Sequence, residues 1–462
     1  MERPGSNICK MGDSYKFSHA VQYPPGTEKV FSYLESRGGL FDNTVFFGLQ
    51  ILLERLEGQV VTAEKIDDAE KMVNAHIGPG IFNRSGWEYI LNKHNGYLPV
   101  IIKAVSEGTQ VPVSNALMIV ENTDPNCFWL TNYLETYLSQ VWYPCTVATL
   151  SREIKKLINR FLETTGDTAG INFKLHDFGY RGTSSFESAG IGGCAHLLNF
   201  MGTDTVAAIE FTQYYYEADM PGFSIPAAEH STITSWGREN ELDAFKNMLE
   251  TYPTGLVAVV SDSYDIYEAC KTLWGEELKD MVLQRDGYLI IRPDSGEPTE
   301  VIPKILNILG KAFGYEVNSK GYKVLNPKVR VIQGDGVNYN SIENILTLMQ
   351  YDGWSTDNIA FGMGGALLQG INRDTQKFAF KCSSVTINGE ERDVYKQPID
   401  SPWKKSKAGR LMLVTDLDGE YKTIKESEYD PSCMIDKMNV VFFNGKIVKK
   451  YTFDEVIWNA KI

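Results

Sequence analysis

GLVAVVSDSYDIYEACKTLW, residues Gly255–Trp274, sets the architecture of this chain. Leu256–Val260 is apolar and β-branched, ends in Ser261-Asp262, and gives way to a helical pattern over Tyr264–Trp274. An uninterrupted apolar run of that length reads as a strand covered on both faces, with its polar end at the mouth of a parallel sheet. The unit recurs downstream. Tyr288–Ile291 ends in Arg292-Pro293-Asp294 before a helical Glu300–Phe313. Val329–Gln333 ends in Gly334-Asp335-Gly336 before Ser341–Gln350, and Asn358–Phe361 ends in Gly362-Met363-Gly364-Gly365. Upstream, Phe173–His176 precedes Asp177-Phe178-Gly179, and Val206–Phe211 reads as a further strand.

Strands alternating with helices imply a parallel sheet. Six such units in about 200 residues match the size of a closed α/β barrel better than an open sheet. The expected fold class is therefore α/β, an irregular (β/α) barrel-like core over residues 166–374. The flanks differ. Before residue 166, strands (Lys29–Leu34, Leu98–Ala104, Leu117–Val120) mix with helices (Thr62–Asn74, Trp129–Ser139, Leu150–Glu163). After 375, strand-like runs alternate with turns: Phe378–Ile387, Leu411–Thr415, Val440–Phe443. Residues 1–165 and 375–462 are expected to form one mixed α+β domain.

A net charge of −14 argues against general nucleic-acid binding, which runs on basic surface. A local arginine cluster can still hold a small anion. Seven cysteines without a CxxC pair favour a reducing compartment over a disulfide framework or zinc ribbon. No run approaches the roughly 20 apolar residues of a membrane span. A soluble cytoplasmic protein is the expectation.

The chemistry-bearing residues gather at strand ends. Asp262, Asp294 and Asp335 follow three apolar runs and would converge on one mouth. One aspartate there is ordinary turn chemistry. Three at corresponding positions point to a cation, a metal or sugar hydroxyls. In Gly334-Asp335-Gly336 and Gly362-Met363-Gly364-Gly365 the missing Cβ atoms let backbone N–H groups approach an anion, where such barrels often bind phosphate, and equally suit tight turns. Of the basic residues Arg37, Arg181, Arg292, Arg373, Lys381 and Lys396, only Arg181 and Arg292 gain weight from a strand-end setting. In KLHDFGYRGTSS, Lys174–Ser185, Phe178 can stack a flat ring and Arg181 can hold an anion. Asp204, in the glycine-rich tract Gly190–Thr205, can accept from an amide. His230, in SIPAAEHST, is by itself more often structural than functional. Asp177-Phe178-Gly179 matches the kinase letters, but no glycine-rich loop precedes it and no HRD is present. Walker A, HExxH and GxSxG are absent.

With these residues on the page, the chain resembles the nicotinamide phosphoribosyltransferase family over nearly its whole length. The resemblance rests on Asp13–Lys16, Gln22–Pro25, Glu121–Pro125, Trp142–Pro144 through Thr149, KLHDFGYRG, Gly202–Thr205, Pro226–Thr232, Ser261–Tyr267, Ile290–Gly296 and Val331–Val337. The nicotinate enzyme is a more distant relative of the same fold group.

The resemblance implies transfer of phosphoribosyl from phosphoribosyl pyrophosphate to nicotinamide, with Mg²⁺ and with ATP as co-substrate through a phosphorylated His230. It implies a homodimer with shared sites and no nucleic-acid or membrane partner. Phe178 and the partner subunit's Tyr15 would sandwich the ring, and Asp204 would select amide over acid. Arg181 and Arg292 would face ring and phosphate. Asp262 and Asp294 would meet ribose and Mg²⁺-pyrophosphate. Gly334, Asp335, Gly364 and Gly365 would receive ribose and 5′-phosphate, while Arg37, Arg373, Lys381 and Lys396 would meet the pyrophosphate side. Ala258 departs from the serine of vertebrate members near the ligand tunnel, and the stretch from Arg37 to Thr44 is shorter than theirs. Two alternatives remain at this stage: a nicotinate or other pyridine phosphoribosyltransferase, and a non-catalytic nucleotide-binding protein on the same scaffold.

Overall fold

The structure is a computed structural model describing residues 4–397, 399 and 406–461. It divides into two compact units, Met1–Thr149 with Asn372–Lys461, and Leu150–Ile371.

The first unit is built on a seven-stranded antiparallel sheet. In spatial order its strands are Glu390–Asp393, Phe378–Ile387, Thr27–Ser36, Ala116–Asn122, Val100–Val105, Met438–Phe443 and Lys446–Ile447. Thr27–Ser36 lies near the centre and pairs on one side with Phe378–Ile387, from Thr27↔Ile387 to Ser36↔Phe378. That pairing joins the two flanks of the chain into one body. The three-stranded sheet Tyr421–Lys425, Leu411–Asp416 and Met434–Asp436 adds a second layer of strand. A continuous apolar core runs through this unit from Ile8 to Phe442 and includes the fully buried Trp87, Tyr33 and Phe46. Helix Ala63–His76 packs Ile66, Ala69 and Val73 into it, a spacing of three and four residues, and Thr62 caps its start by accepting from the Lys65 amide.

The second unit is a six-stranded parallel sheet ordered Gly202–Thr203, Leu175–Asp177, Ile359–Met363, Val329–Gln333, Asp286–Arg292, Thr254–Val260. The sheet curls, and the gap between its outer strands is filled by residues 223–228. Phe223 bridges Gly202 and Ala227 bridges Ala258, both in parallel sense. Thr203 N–H donates to Phe223 O at 3.0 Å, Ala258 N–H to Pro226 O at 2.9 Å and Ala228 N–H to Ala258 O at 2.9 Å. The ring is thus closed by an irregular seventh stave, which the sequence pattern does not announce.

Alternation along each strand divides lumen from helix layer. Val257 and Val259 are fully buried beneath the helices, whereas Leu256 and Ala258 line the lumen. Crossover helices Pro298–Phe313 and Tyr339–Tyr351 bury aliphatic faces through Ile302, Ile305, Leu309, Ile342, Ile345 and Met349. Asn338 and Ser341 form a capping box at the start of the second.

One expected strand is corrected. Val206–Phe211 belongs to a helix, Val206–Tyr216, whose buried residues Ala207, Ala208, Phe211, Thr212 and Tyr216 follow helical spacing. Short apolar runs carry no period of their own, and here the two alanines and the aromatic at the next turn decide for helix. The strand of that unit is the two-residue Gly202–Thr203 just before it. Among the described residues no helix is long and apolar enough to cross a membrane.

Candidate active site

The barrel lumen holds a cavity of about 430 Å³ that extends along the strand direction. Its middle is apolar, with Ala258, Ile290 and Ile332 packed against Phe178, Ile225 and Ala360. Phe178, Asp204 and Arg292 lie at the C-terminal strand ends, and Lys174, Arg330 and Asp357 toward the N-terminal ends.

Phe178 is placed by its backbone and by a missing side chain. Its N–H donates to Met363 O at 3.0 Å. Gly362, the lumen-facing residue of the neighbouring strand, leaves the room its ring occupies, since a Cβ there would fall 1.9 Å from Phe178 Cε2. The Arg292 guanidinium carbon sits 5.7 Å from the centroid of the Phe178 ring. Asp204 is exposed at the mouth and accepts a hydrogen bond from the Ser224 hydroxyl. His176 also lines the cavity. It donates from Nε2 to Phe173 O at 3.0 Å, and burial holds it below the usual imidazole range.

Beside this ring pocket lies a charged relay. His230 Nε2 donates to Asp262 Oδ1 at 3.0 Å. Asp262 Oδ2 accepts from the Asp294 amide at 3.0 Å and the Ser295 hydroxyl at 2.5 Å. Asp294 Oδ1 takes Arg292 Nε at 3.0 Å and Nη2 at 2.6 Å, while Asp294 Oδ2 faces His230 Nδ1 at 3.8 Å. The Asp262 side chain is only 3% exposed against 46% for His230, so the carboxylate orients and the imidazole is accessible. The strand end carrying Asp262 is pinned from behind: Trp274, on the π-helical turn Ala269–Glu277, donates its indole N–H to Ser261 Oγ at 3.0 Å. Trp274 in turn stacks on Phe245 at 4.5 Å.

Gly334 lies against this relay, with a Cβ built on it 3.2 Å from Arg292 Nε and 3.3 Å from Asp294 Oδ1. Asp335 is exposed just beyond. Gly364 follows Met363, and a Cβ on Gly365 would meet open space. Arg181 is exposed on the turn Tyr180–Gly182 and does not line the lumen cavity.

The remaining basic residues lie in the first unit, around a separate cavity of about 680 Å³ lined by Arg37, Arg373, Lys377, Lys381 and Lys396 with Glu135 and Asp374. Arg37 Nε is tied to Glu35 at 2.7 Å, but its Nη2 is buried without a partner. Burial holds Lys381 below its ordinary range, and Arg37, Lys396 and Arg373 add to this against the opposing pull of Glu135. Cations crowded in this way suit a polyanion. Tyr15 belongs to the same unit, 58% exposed, with Arg373 near enough to act on its hydroxyl.

Sequence reasoning missed Ser224, Ser295 and Lys377, and it read Gly362 as part of an anion-approaching turn, whereas its missing side chain makes room for the Phe178 ring. Lys377 had one usable signal, an i, i+4 spacing to Lys381, although its left-handed backbone at φ 50 is legible only in the structure. Among the described residues one cluster could ring a metal ion, His94, Asp124 and Cys127. Asp124 there already accepts from Tyr89, His94 and the Asn126 amide, which makes it a helix-end staple.

Two family models match the chain. Residues 173–446 match the nicotinate phosphoribosyltransferase (NAPRTase) family, and residues 7–102 match the N-terminal domain of nicotinamide phosphoribosyltransferase. The chain is 50% identical over 457 residues to a nicotinamide phosphoribosyltransferase of Xanthomonas campestris pv. campestris (strain 8004), covering 97% of each. It is 33% identical to one of Acinetobacter baylyi (strain ATCC 33305 / BD413 / ADP1), over 96% of this chain and 95% of that one. Among solved structures, nicotinate-nucleotide pyrophosphorylase from Pyrococcus furiosus aligns with a TM-score of 0.63 at 16% identity, covering 100% of this chain and 96% of that one. Human nicotinic acid phosphoribosyltransferase aligns at 0.57 and 14% identity, over 97% and 92%. These two share the fold.

Proposed function

The chain belongs to the nicotinamide phosphoribosyltransferase family, pentosyltransferase enzymes of NAD salvage, and from that premise we propose that it joins nicotinamide to phosphoribosyl pyrophosphate, giving nicotinamide mononucleotide and pyrophosphate. The observation that carries this reading is one cavity in which an aromatic ring, Phe178, and a carboxylate, Asp204, share a mouth with Arg292. Phe178 stacks one face of the pyridine ring and Tyr15 of the partner subunit the other, each offset stack contributing about 0.5–1.5 kcal/mol beyond burial. Asp204 accepts from the carboxamide NH₂. Ionised, it repels the carboxylate of nicotinate by up to about 4 kcal/mol at 4 Å and intermediate dielectric.

Ribose and its 5′-phosphate lie over Gly334, Asp335, Gly364 and Gly365, with Arg181 and Arg292 orienting ring and phosphate. Two copies of the chain share each site. The partner subunit's Arg37, Arg373, Lys381 and Lys396 meet the pyrophosphate end. As the bond from ribose C1 to pyrophosphate lengthens, positive charge grows on the sugar and the ring nitrogen attacks C1 with its own lone pair. No base is needed. Guanidinium and ammonium groups stabilise the departing charge, and positioning supplies much of the remainder.

Mg²⁺ fits one of the two candidate carboxylates better than the other. Both oxygens of Asp262 are taken, by His230 on one side and Asp294 N–H with Ser295 on the other. Asp294 retains Oδ2. Magnesium commonly takes one or two carboxylates and fills its shell with substrate phosphate oxygens and water. Asp294 would hold it together with pyrophosphate, where it supplies charge neutralisation.

With its Nε2 proton on Asp262, His230 presents Nδ1 as the nucleophile. Nδ1 attacks the γ-phosphorus of ATP, the bond to ADP oxygen breaks, and ADP leaves. The phosphohistidine then favours substrate binding and forward turnover. Seven cysteines without a CxxC pair fit a reducing cytoplasm.

The test is product formation from phosphoribosyl pyrophosphate and Mg²⁺ with nicotinamide or nicotinate, each with and without ATP. Mononucleotide from nicotinamide, stimulated by ATP, is expected. Product chiefly from nicotinate would overturn the role of Asp204, and binding without product from either would make the chain a binding protein on this scaffold.

A further inference from the structure

The DFG turn contains a carboxyl group that the mechanism above does not use. Asp177 is 0% exposed and sits between the two residues proposed to read the ring. Its Oδ1 accepts from the Gly179 amide at 2.7 Å, which fixes the turn holding Phe178. Its backbone carbonyl accepts from the Asp204 amide at 2.9 Å. In register it pairs with Thr203 on one neighbouring strand and Met363 on the other. Asp177 Oδ2 and Thr205 Oγ1 are both buried without a hydrogen-bond partner. They lie close enough for Thr205 to act on the ionisation of the carboxyl. A Cβ on Gly193 would fall 3.0 Å from Oδ2, so the pocket around it is tight and made for this group.

Burying a carboxyl costs free energy unless it is fully hydrogen-bonded, so a half-satisfied one at this position calls for an explanation. A core residue serving packing alone would be apolar. We propose that Asp177 is a positioning residue for ring recognition: through Gly179 on one side, and through its own carbonyl and Thr205 on the other, it fixes the distance between the Phe178 ring and the Asp204 carboxylate. The inference deepens the proposed function and rests on it. Burial pushes the Asp177 carboxyl up to about 6, while the Gly179 amide and the Thr205 hydroxyl pull the other way by favouring its ionised form.

The two ring-reading residues otherwise stand on separate turns, one after Leu175–Asp177 and one after Gly202–Thr203. A shift of about an ångström in an orienting group can cost up to about 100-fold in rate. The amide-over-acid choice depends on that spacing in a way that phosphoribosyl pyrophosphate binding does not.

The experiment compares wild type with Asp177→Asn, Asp177→Ala and Thr205→Val. It measures KM for nicotinamide, KM for phosphoribosyl pyrophosphate, and the ratio of kcat/KM for nicotinamide over nicotinate. Asp177→Ala is expected to raise the nicotinamide KM by about tenfold or more and to lower the ratio, with the phosphoribosyl pyrophosphate KM within about twofold. Asp177→Asn, which keeps the acceptor for Gly179 and adds a donor toward Thr205, is expected to recover most of both. Should Asp177→Ala fail to fold, Thr205→Val decides: a fall in the ratio supports the inference, and an unchanged ratio overturns it. Parallel loss of both KM values with reduced thermal stability would mark a merely structural residue and overturn it too. A wild type that makes no product from nicotinamide overturns the proposed function and this inference together. An active wild type matched by its variants overturns this inference alone.

Discussion

His230 Nε2 and Asp262 Oδ1 stand 3.0 Å apart, and the buried carboxylate holds the imidazole with its other nitrogen turned toward Asp294. This geometry leaves Nδ1, the nitrogen proposed to accept the phosphoryl group, on the Asp294 side of the relay rather than among the groups proposed to hold the ring. His230→Ala should therefore keep basal mononucleotide synthesis and lose its stimulation by ATP. Asp262→Asn should weaken stimulation by a smaller factor, because the imidazole is then held in the wrong tautomer for part of the time. Initial rates with and without ATP check both, and full stimulation in His230→Ala would rule out the phosphohistidine.

Asp204→Asn should abolish the preference for nicotinamide over nicotinate by removing the charge that repels the acid. Because Asp204 is exposed, solvent screening reduces the effect below the buried-charge limit. A fall of about tenfold or more in the kcat/KM ratio is expected. The Ser224 hydroxyl, bonded to Asp204, should modulate it: Ser224→Ala loosens the carboxylate and lowers the same ratio less.

Gly362→Ala should damage the ring pocket out of proportion to its size. The added methyl would overlap the Phe178 ring, so the ring must leave its place. Overpacking of this kind costs about 1–3 kcal/mol of stability. The diagnostic reading is the nicotinamide KM, expected to rise by about tenfold or more while the protein stays folded by circular dichroism. An unchanged KM would mean the ring does not stack on substrate.

The proposed sharing of each site between two copies of the chain predicts complementation. Arg37→Ala, altered in the basic cavity, and Asp294→Ala, altered in the relay, should each be nearly inactive. Co-expressed, the two should regain activity, because a mixed dimer carries one site with both residues intact. Mixtures as inactive as their components would favour a site built within one chain.

His196 predicts how thermal stability depends on pH. It is fully buried, with Ser151 Oγ 3.0 Å from Nδ1 and Gly202 O 3.3 Å from Nε2, and burial lowers its pKa to about 3. The neutral ring donates from Nε2 and accepts at Nδ1. Its folded pKa lies below the unfolded value of about 6.5, so in between the unfolded chain binds a proton that the folded chain does not. Stability from this group is full above about pH 6.5 and is lost progressively as pH falls toward 3. The thermal midpoint of wild type should fall more steeply between about pH 7 and 5 than that of His196→Gln.

The strands of the barrel were legible because each is a short apolar run stopped by polar or glycine residues, as at Val260–Ser261 and Gln333–Gly334. The purpose of the lumen-facing Gly362 was not, because an empty position has its meaning only once the ring that fills it is known. Val206–Phe211 misled because its apolar letters are shared by a buried helix and a buried strand, and six residues carry too little period to separate them. Residues 223–228 escaped because closure there depends on hydrogen bonds to Met201, Thr203 and Ala258, outside the segment, and on no pattern within it. The relay was half legible. Asp262 and Asp294 stood out as strand-end carboxylates, but nothing in the letters says which of them orients His230 and which keeps an oxygen free.

The pairing of Thr27–Ser36 with Phe378–Ile387 joins strands about 340 residues apart in the chain. During synthesis at about 5–20 residues per second, the early strand waits on the order of half a minute for its partner to leave the ribosome. The barrel unit, contiguous from Leu150 to Ile371, is finished before that partner exists. Chains released after Ile371 but before residue 378 would therefore carry a completed barrel and an uncovered edge on the N-terminal strand, the form of this protein most in need of a chaperone.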